Sequence, residues 1–181
     1  RAASHPALRF AITEVFRSMV VPLLGGNRSR CIHFHGTSTT GKSLGMYVVM
    51  NIYGRGQQLE IKGSSTMTGL ERQMAARNHT TIYVDDILHK TAEEREALLY
   101  MASDGQGKTR ATKDAEVRRT ARWVAGLITT GEKPMQDDAK ALGAQARAFE
   151  LEYAPFNADL VSDLGDGMQH YGHVIHDWVA L

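Results

Sequence analysis

A chain of 181 residues with 43% hydrophobic and 23% charged side chains can form one domain with a sizeable core. Its net charge of +1 names no partner, and its single cysteine, Cys31, excludes an intrachain disulfide and fits a reducing, cytoplasmic compartment. No apolar run reaches the roughly 18 residues that a membrane span needs, so no membrane partner is expected. The chain starts at Arg1 without a signal-peptide pattern and stops inside a helical pattern at Leu181, so it reads as a domain excised from a longer protein.

Ala7 to Leu24 has helical spacing, with Leu8, Ile12, Val15, Phe16, Met19, Val20 and Leu23 on one face and Gly25-Gly26-Asn27 as its stop. Cys31 to His35 is a short strand, in which His33 and His35 alternate with apolar residues and read as packing. A Gly-rich turn follows, then a helix over Lys42 to Tyr53, a strand over Gln58 to Ile61 and a helix over Thr66 to Arg77. Thr80 to Asp85 has the continuous apolar character of a strand buried on both faces. Thr91 to Ser103 is helical, with Thr91 as N-cap and Glu93 and Glu94 in the first turn.

From Gln106 to Arg122 six basic and two acidic residues give a local charge of +4, against −3 for the remainder. The ends of this stretch are β-prone, which predicts a projecting hairpin whose charge is either simply solvated or set against phosphates. Trp123 to Thr130 is another core strand, Met135 to Leu142 a short helix, and Ala148 to Tyr153 a last strand closed by Pro155. The chain is helical from Asn157 onward. Strands alternating with helices predict an α/β fold with a mostly parallel central sheet flanked by helices. Its divisions are an N-terminal helix and linker over 1–30, a core over 31–156 and a truncated helical segment, an incomplete lid, over 157–181.

The turn carries the chemistry. Gly36-Thr37-Ser38-Thr39-Thr40-Gly41-Lys42-Ser43 matches G-x-x-x-x-G-K-[ST] in full, between a strand and a helix. Its glycines let the backbone approach phosphates, and successive N–H groups form an anion nest at a helix N-terminus. Lys42 would reach the β- and γ-phosphates, and the Ser43 hydroxyl would be a Mg²⁺ ligand. The expected ATP-binding set runs from Gly36 through Leu44.

A P-loop site also needs a carboxylate at the end of a neighbouring core strand. Asp85 and Asp86 emerge where the strand Thr80 to Asp85 ends, the edge at which open α/β sheets bind ligands. Asp85 is expected on the Mg²⁺ side and Asp86 beside the attacking water. Leu127 to Glu132 is a second core strand, expected to lie between these two, and its hydroxyl tip, Thr129-Thr130, can meet the γ-phosphate or the water.

The run from Gly36 to about Pro155 resembles the family called domain of unknown function nine-hundred-and-twenty-seven, found in helicase and primase-helicase proteins of phages, plasmids and other mobile elements. The resemblance rests on FHGTSTTGKS, GLERQMAARN, TIYVDDI, YMASDGQGKTRAT, RRTARWVAGLITTGE and ARAFELEYAP in that order. It implies an AAA+-like, superfamily-3-like P-loop ATPase that works as a ring-shaped homo-oligomer on DNA, expected to be single-stranded, with a primase domain possible in the full-length protein. It makes Thr129 or Thr130 the sensor-1 group and Arg147 an arginine finger for a neighbour's ATP. It also suggests that Lys108, Arg110 and Lys113 contact the nucleic-acid backbone or face a neighbouring nucleotide. One departure stands out: the family usually carries Asp-Glu where this chain has Asp85-Asp86, and aspartate is one methylene shorter.

The sequence thus points to the ATP-hydrolysing, Mg²⁺-dependent motor domain of a mobile-element replicative helicase or primase-helicase. A slow or non-hydrolysing nucleotide switch and a P-loop small-molecule kinase are the alternatives.

Overall fold

The computed structural model describes residues 5–109, 120–135, 147–153 and 158–179. Five strands form one sheet: β1 (Arg30–His35), β2 (Glu60–Lys62), β3 (Thr81–Asp85), β4 (Gly126–Gly131) and β5 (Ala148–Glu152). The sheet order is β2-β3-β4-β1-β5, and every neighbouring pair is parallel. The second polar strand, β4, therefore lies between β1 and β3, as expected.

Helices cover both faces. Met67–Ala76 (α4) and Ala92–Asp104 (α5) lie on one side, where Leu70, Met74, Leu98 and Leu99 pack with Ile82, Val84 and Leu127. Pro6–Leu23 (α1) and Lys42–Met50 (α2) lie on the other, where Leu8, Val15, Met46 and Val49 pack with Ile32, Phe34, Tyr83 and Ile128. Alternation along β3 sends Ile82 and Val84 one way and Tyr83 the other, as the two-residue strand period requires. α5 is fixed at its start by a full capping box between Thr91 and Glu94, which satisfies two otherwise orphaned N–H groups.

Three expectations shift. The buried stripe of α1 is narrower than its periodicity suggests: Leu8, Ala11, Val15 and Met19 are buried, whereas Phe16 and Leu23 are exposed. An 18-residue helix is about 27 Å long, while a six-residue strand spans about 20 Å, so the last turn of α1 overhangs the sheet. Second, Gly56–Leu59 is a helical turn (α3), and the strand after it starts at Glu60. Here the Asn51 side chain accepts the Gly56 N–H at 2.8 Å, and a Cβ on Gly56 would lie 2.0 Å from the Tyr47 carbonyl oxygen. That close packing holds the chain in a turn and delays the strand. Third, β4 starts at Gly126, not Trp123.

Trp123 instead belongs to the base of the basic hairpin. Its N–H donates to the Gly105 carbonyl, Gly107 N–H donates to Ala121, and Gln106 bridges Arg122 in antiparallel fashion. The hairpin expected here is present at its base. Arg110 and Lys113 lie outside the described residues, as do Pro155 and all but Met135 of the helix expected over Met135 to Leu142. Beyond β5, Ala158–Gly167 (α6) and His173–Val179 (α7) are helical, and Gly172 N–H donates to the Asn51 carbonyl beyond α2. No helix among the described residues is long and apolar enough to cross a membrane.

Candidate functional site

The strand–turn–helix passage from β1 into α2 places Gly36 to Ser43 at the C-terminal edge of the parallel sheet. Gly41 is the residue before the first helical turn and has φ +87°, a left-handed conformation that a side chain would penalise. Thr39 also lies in that region, at φ +64°, which stores strain in the turn. The first backbone N–H groups of α2 have no intrahelical partner and sit at the positive end of the helix dipole.

A cleft of about 410 Å³ opens above this turn. Its lining is the stretch Ser38 to Leu44, the β3 tip Asp85-Asp86 and the β4 tip Thr130 to Glu132. The Lys42 ammonium donates to the carbonyls of Gly36 (2.8 Å) and Thr37 (2.7 Å). Burial pushes its pKa down, and the nearby carboxylates of Glu132, Asp85 and Asp86 push it back up without cancelling the effect. An anionic ligand would favour this ammonium in the same direction as those acids.

Asp85 is the hub. Its Oδ1 accepts hydroxyl hydrogen bonds from Tyr83 (2.5 Å), Thr130 (2.8 Å) and Ser43 (3.0 Å). Burial alone would raise its pKa, but these three hydroxyls and the Lys62 ammonium 3.7 Å from Oδ2 outweigh burial and lower it. The carboxylate is thus held ionised by neutral donors. Burial and the bond to Asp85 push the Tyr83 phenol far up, so it remains a donor.

Asp86 stands differently. Its backbone is left-handed, at φ 49° and ψ 64°, and its Oδ2 lies 3.0 Å from His89 Nε2. Its N–H donates to Thr130 Oγ1 at 3.2 Å, so Thr130 ties both acidic residues of the β3 tip to β4.

The two adjacent threonines separate cleanly. Thr130 faces the cleft, while Thr129 is fully buried 2.8 Å from His33 Nδ1. His33 Nε2 lies 2.9 Å from the Lys133 carbonyl oxygen, so it carries the proton and Nδ1 accepts from Thr129. Burial pushes the His33 pKa down to about 4, which keeps the ring neutral. The hydroxyl at the cleft is therefore that of Thr130.

Arg147 precedes β5 at the sheet edge opposite the cleft, since Ala148 pairs in register with Cys31 at the start of β1. Its guanidinium stacks 4.2 Å from the Tyr100 ring centre and lies 4.0 Å from Asp104 Oδ1. It is not brought to the cleft of its own chain. Lys108 is exposed at the hairpin base.

Sequence reasoning assigned no role to Tyr83, Lys62, His89 or Glu132. Tyr83 was within reach: it sits two residues before Asp85 on one strand, so both side chains share a face. Glu132 meets Ser38 across 94 residues of sequence, with Ser38 Oγ donating to Glu132 Oε1 at 2.6 Å, and only the strand order reveals that.

Comparison with known proteins gives a coherent picture. The model of the family described as "Domain of unknown function (DUF927)" matches residues 1–123, which extends N-terminally beyond the resemblance read from the sequence and stops before β4. The solved structure titled "SCCmec type IV Cch - active helicase" aligns with a TM-score of 0.74 and 24% identity over 94% of this chain and 33% of that one. The chain thus spans about a third of that helicase. The X-ray structure of JCV helicase aligns with a TM-score of 0.48 and 14% identity, over 92% of this chain and 52% of that one, too weak to carry weight. The first likeness establishes the fold as P-loop NTPase-like. A search of the curated proteins found no match.

Proposed function

The chain belongs to the DUF927 family, and from that premise we propose that it is the ATP-binding, ATP-hydrolysing motor domain of a mobile-element DNA helicase. One observation carries the reading. Lys42, Ser43, Asp85 and Thr130, drawn from α2, β3 and β4, converge on one cleft at a helix N-terminus. The SCCmec neighbour, an active helicase by its title, makes helicase the favoured use of such a site.

The residues fit Mg²⁺. Ser43 Oγ and Asp85 Oδ1 are hard oxygen donors 3.0 Å apart, and this cation is usually held by one or two protein oxygens, phosphate oxygens and water. When bound, it supplies positive charge against the negative charge that develops on the transferring phosphoryl group. In this reading Lys42 leaves the Gly36 and Thr37 carbonyls for the β- and γ-phosphates, and the amides of Gly36 to Leu44 cradle them. Thr130 is the sensor hydroxyl, since it already bonds Asp85 and the Asp86 amide. Asp86 orients the water side of the cleft.

The domain would comprise an N-terminal helix and linker (1–30), the core (31–156) and a helical segment (157–181). In a ring of copies, Arg147 would leave Tyr100 and reach the neighbour's nucleotide, and Lys108, Arg110 and Lys113 would meet DNA phosphates from the hairpin. A slower nucleotide switch is the second reading. It draws on the short Asp86 side chain and its pairing with His89.

ATP turnover of the full-length protein, measured with and without single-stranded DNA at several protein concentrations, tests this reading. Turnover should rise with DNA and more steeply than linearly with protein. A rate indifferent to both would contradict it.

A further inference from the structure

We propose that Glu132 is a catalytic residue of this cleft, the carboxylate that takes the proton from the attacking water; the proposal rests on reading the cleft as an ATP-hydrolysing site. Glu132 follows Thr130 by two residues at the tip of β4 and lines the cleft opposite the start of α2. Ser38 Oγ donates to its Oε1 at 2.6 Å. The side chain therefore reaches from the β4 tip to the phosphate-binding turn, and one carboxylate oxygen is anchored there while the other is left for a second partner.

Position favours Glu132 over Asp86 for this task. Glu132, like Asp85 and Asp86, is close enough to the Lys42 ammonium to favour its charged form. A terminal phosphoryl group drawn to Lys42 would therefore lie close to Glu132. Asp86 has a shorter side chain and lies against His89 Nε2 at 3.0 Å. Asp85 takes three hydroxyls on Oδ1 and is the carboxylate assigned to Mg²⁺. Of the three carboxylates, Glu132 alone has a four-atom reach and a partner on the turn itself.

Charge points the same way. A carboxylate at the mouth of a cleft that takes a polyanion weakens binding by like-charge repulsion. A cleft built only to bind nucleotide would be better served there by a neutral or basic residue. A proton acceptor, in contrast, must lie within hydrogen-bond reach of the water it activates.

The step balances. The water oxygen forms a bond to the γ-phosphorus as the bond from that phosphorus to the β–γ bridging oxygen breaks, and the electron pair of the broken bond leaves with ADP. One water proton passes to the free oxygen of Glu132 and returns to solvent once phosphate departs. The Ser38 hydroxyl holds the other carboxylate oxygen to the turn.

The test uses the full-length protein and compares the parent with Glu132→Gln, Glu132→Asp and Asp86→Asn. ATP affinity is read by a fluorescent ATP analogue, turnover by phosphate release and folding by circular dichroism. Glu132→Gln should lose about 100-fold or more in kcat and keep or tighten ATP binding. Glu132→Asp should fall between the parent and Glu132→Gln, and Asp86→Asn should lose less than Glu132→Gln. Turnover by Glu132→Gln within a few-fold of the parent would overturn the proposal. So would a loss of ATP affinity matching the loss of turnover, since that would make Glu132 only a structural tie to Ser38. If the parent itself neither bound nor hydrolysed ATP, the reading of the site would fail along with the proposal, whereas a parent that binds ATP confines any failure to Glu132.

Discussion

Two carboxylates at opposite ends of the sheet are built in opposite ways. Glu14, on α1 beside the N-terminal strand ends, is 1% exposed and receives two Arg17 bonds of 2.8 Å, with Arg30 and Ser18 each at 3.4 Å. Ser18 continues to Thr81 at the start of β3 at 2.9 Å. That acid is matched by positive charge inside the chain, as a buried ion in a purely structural role must be. Asp85, at the other end of β3, is held by three neutral hydroxyls, and its ion pair among the described residues is with Lys62 at a looser 3.7 Å. On the proposed reading, an ionised carboxylate organised by dipoles but short of cationic charge is suited to a cation, and the contrast separates an acid that holds the fold from one that would hold a ligand.

The comparison breaks most sharply through a pair of exchanges. Asp85→Asn keeps an oxygen acceptor for the three hydroxyls but removes the charge. It should lower ATP turnover by about 100-fold or more and leave the urea unfolding free energy within about 1 kcal/mol of the parent. Glu14→Gln should do the reverse: a loss on the order of 2 kcal/mol in unfolding, because two arginines lose their counter-charge, with unchanged KM and kcat. If Asp85→Asn unfolds the protein and Glu14→Gln silences turnover, the two roles are reversed.

A smaller effect separates the adjacent threonines. Thr130→Val should lower kcat about 10-fold or more, because it frees both Asp85 and the Asp86 amide. Thr129→Val should remove about 1 kcal/mol of stability through the lost bond to His33. Unfolding experiments and turnover measured on both variants check this.

A separate effect concerns pH. The folded state depresses the His33 pKa from 6.5 to about 4, so the unfolded chain takes up the proton first as pH falls. The contribution is complete above pH 6.5 and is lost between 6.5 and about 4, at about 1.4 kcal/mol per pH unit. His33→Gln, which can still donate to the Lys133 carbonyl, should show a flatter stability–pH curve in that window. Equal slopes for variant and parent would show that the ring is not held neutral.

How much of this was legible in the sequence follows from which interactions are local. The turn proposed to bind phosphate is local: Gly41, Lys42 and Ser43 must have fixed spacing in one strand–turn–helix unit, so the string alone locates it. The β3 tip is nearly as legible, since four β-formers and two acids lie in one run. The Glu132–Ser38 and His33–Thr129 pairs span 94 and 96 residues and exist only once β4 is inserted between β1 and β3. The overhang of α1 and the delayed start of β2 depend on the sheet length and on close packing around Gly56, neither of which periodicity reports. Glu14 sits on an amphipathic helix that gives no sign that its acid is buried.

Calorimetric titration of Mg²⁺ and ATP into the parent and into Lys42→Ala tests the central claim most directly. The parent should bind ATP in a Mg²⁺-dependent manner, and Lys42→Ala should lose affinity by about 100-fold or more while unfolding at the parental midpoint, as expected when a charge-assisted phosphate contact is removed from an intact fold. Equal affinity in the two proteins, or no Mg²⁺ dependence in the parent, would contradict the assignment of this cleft.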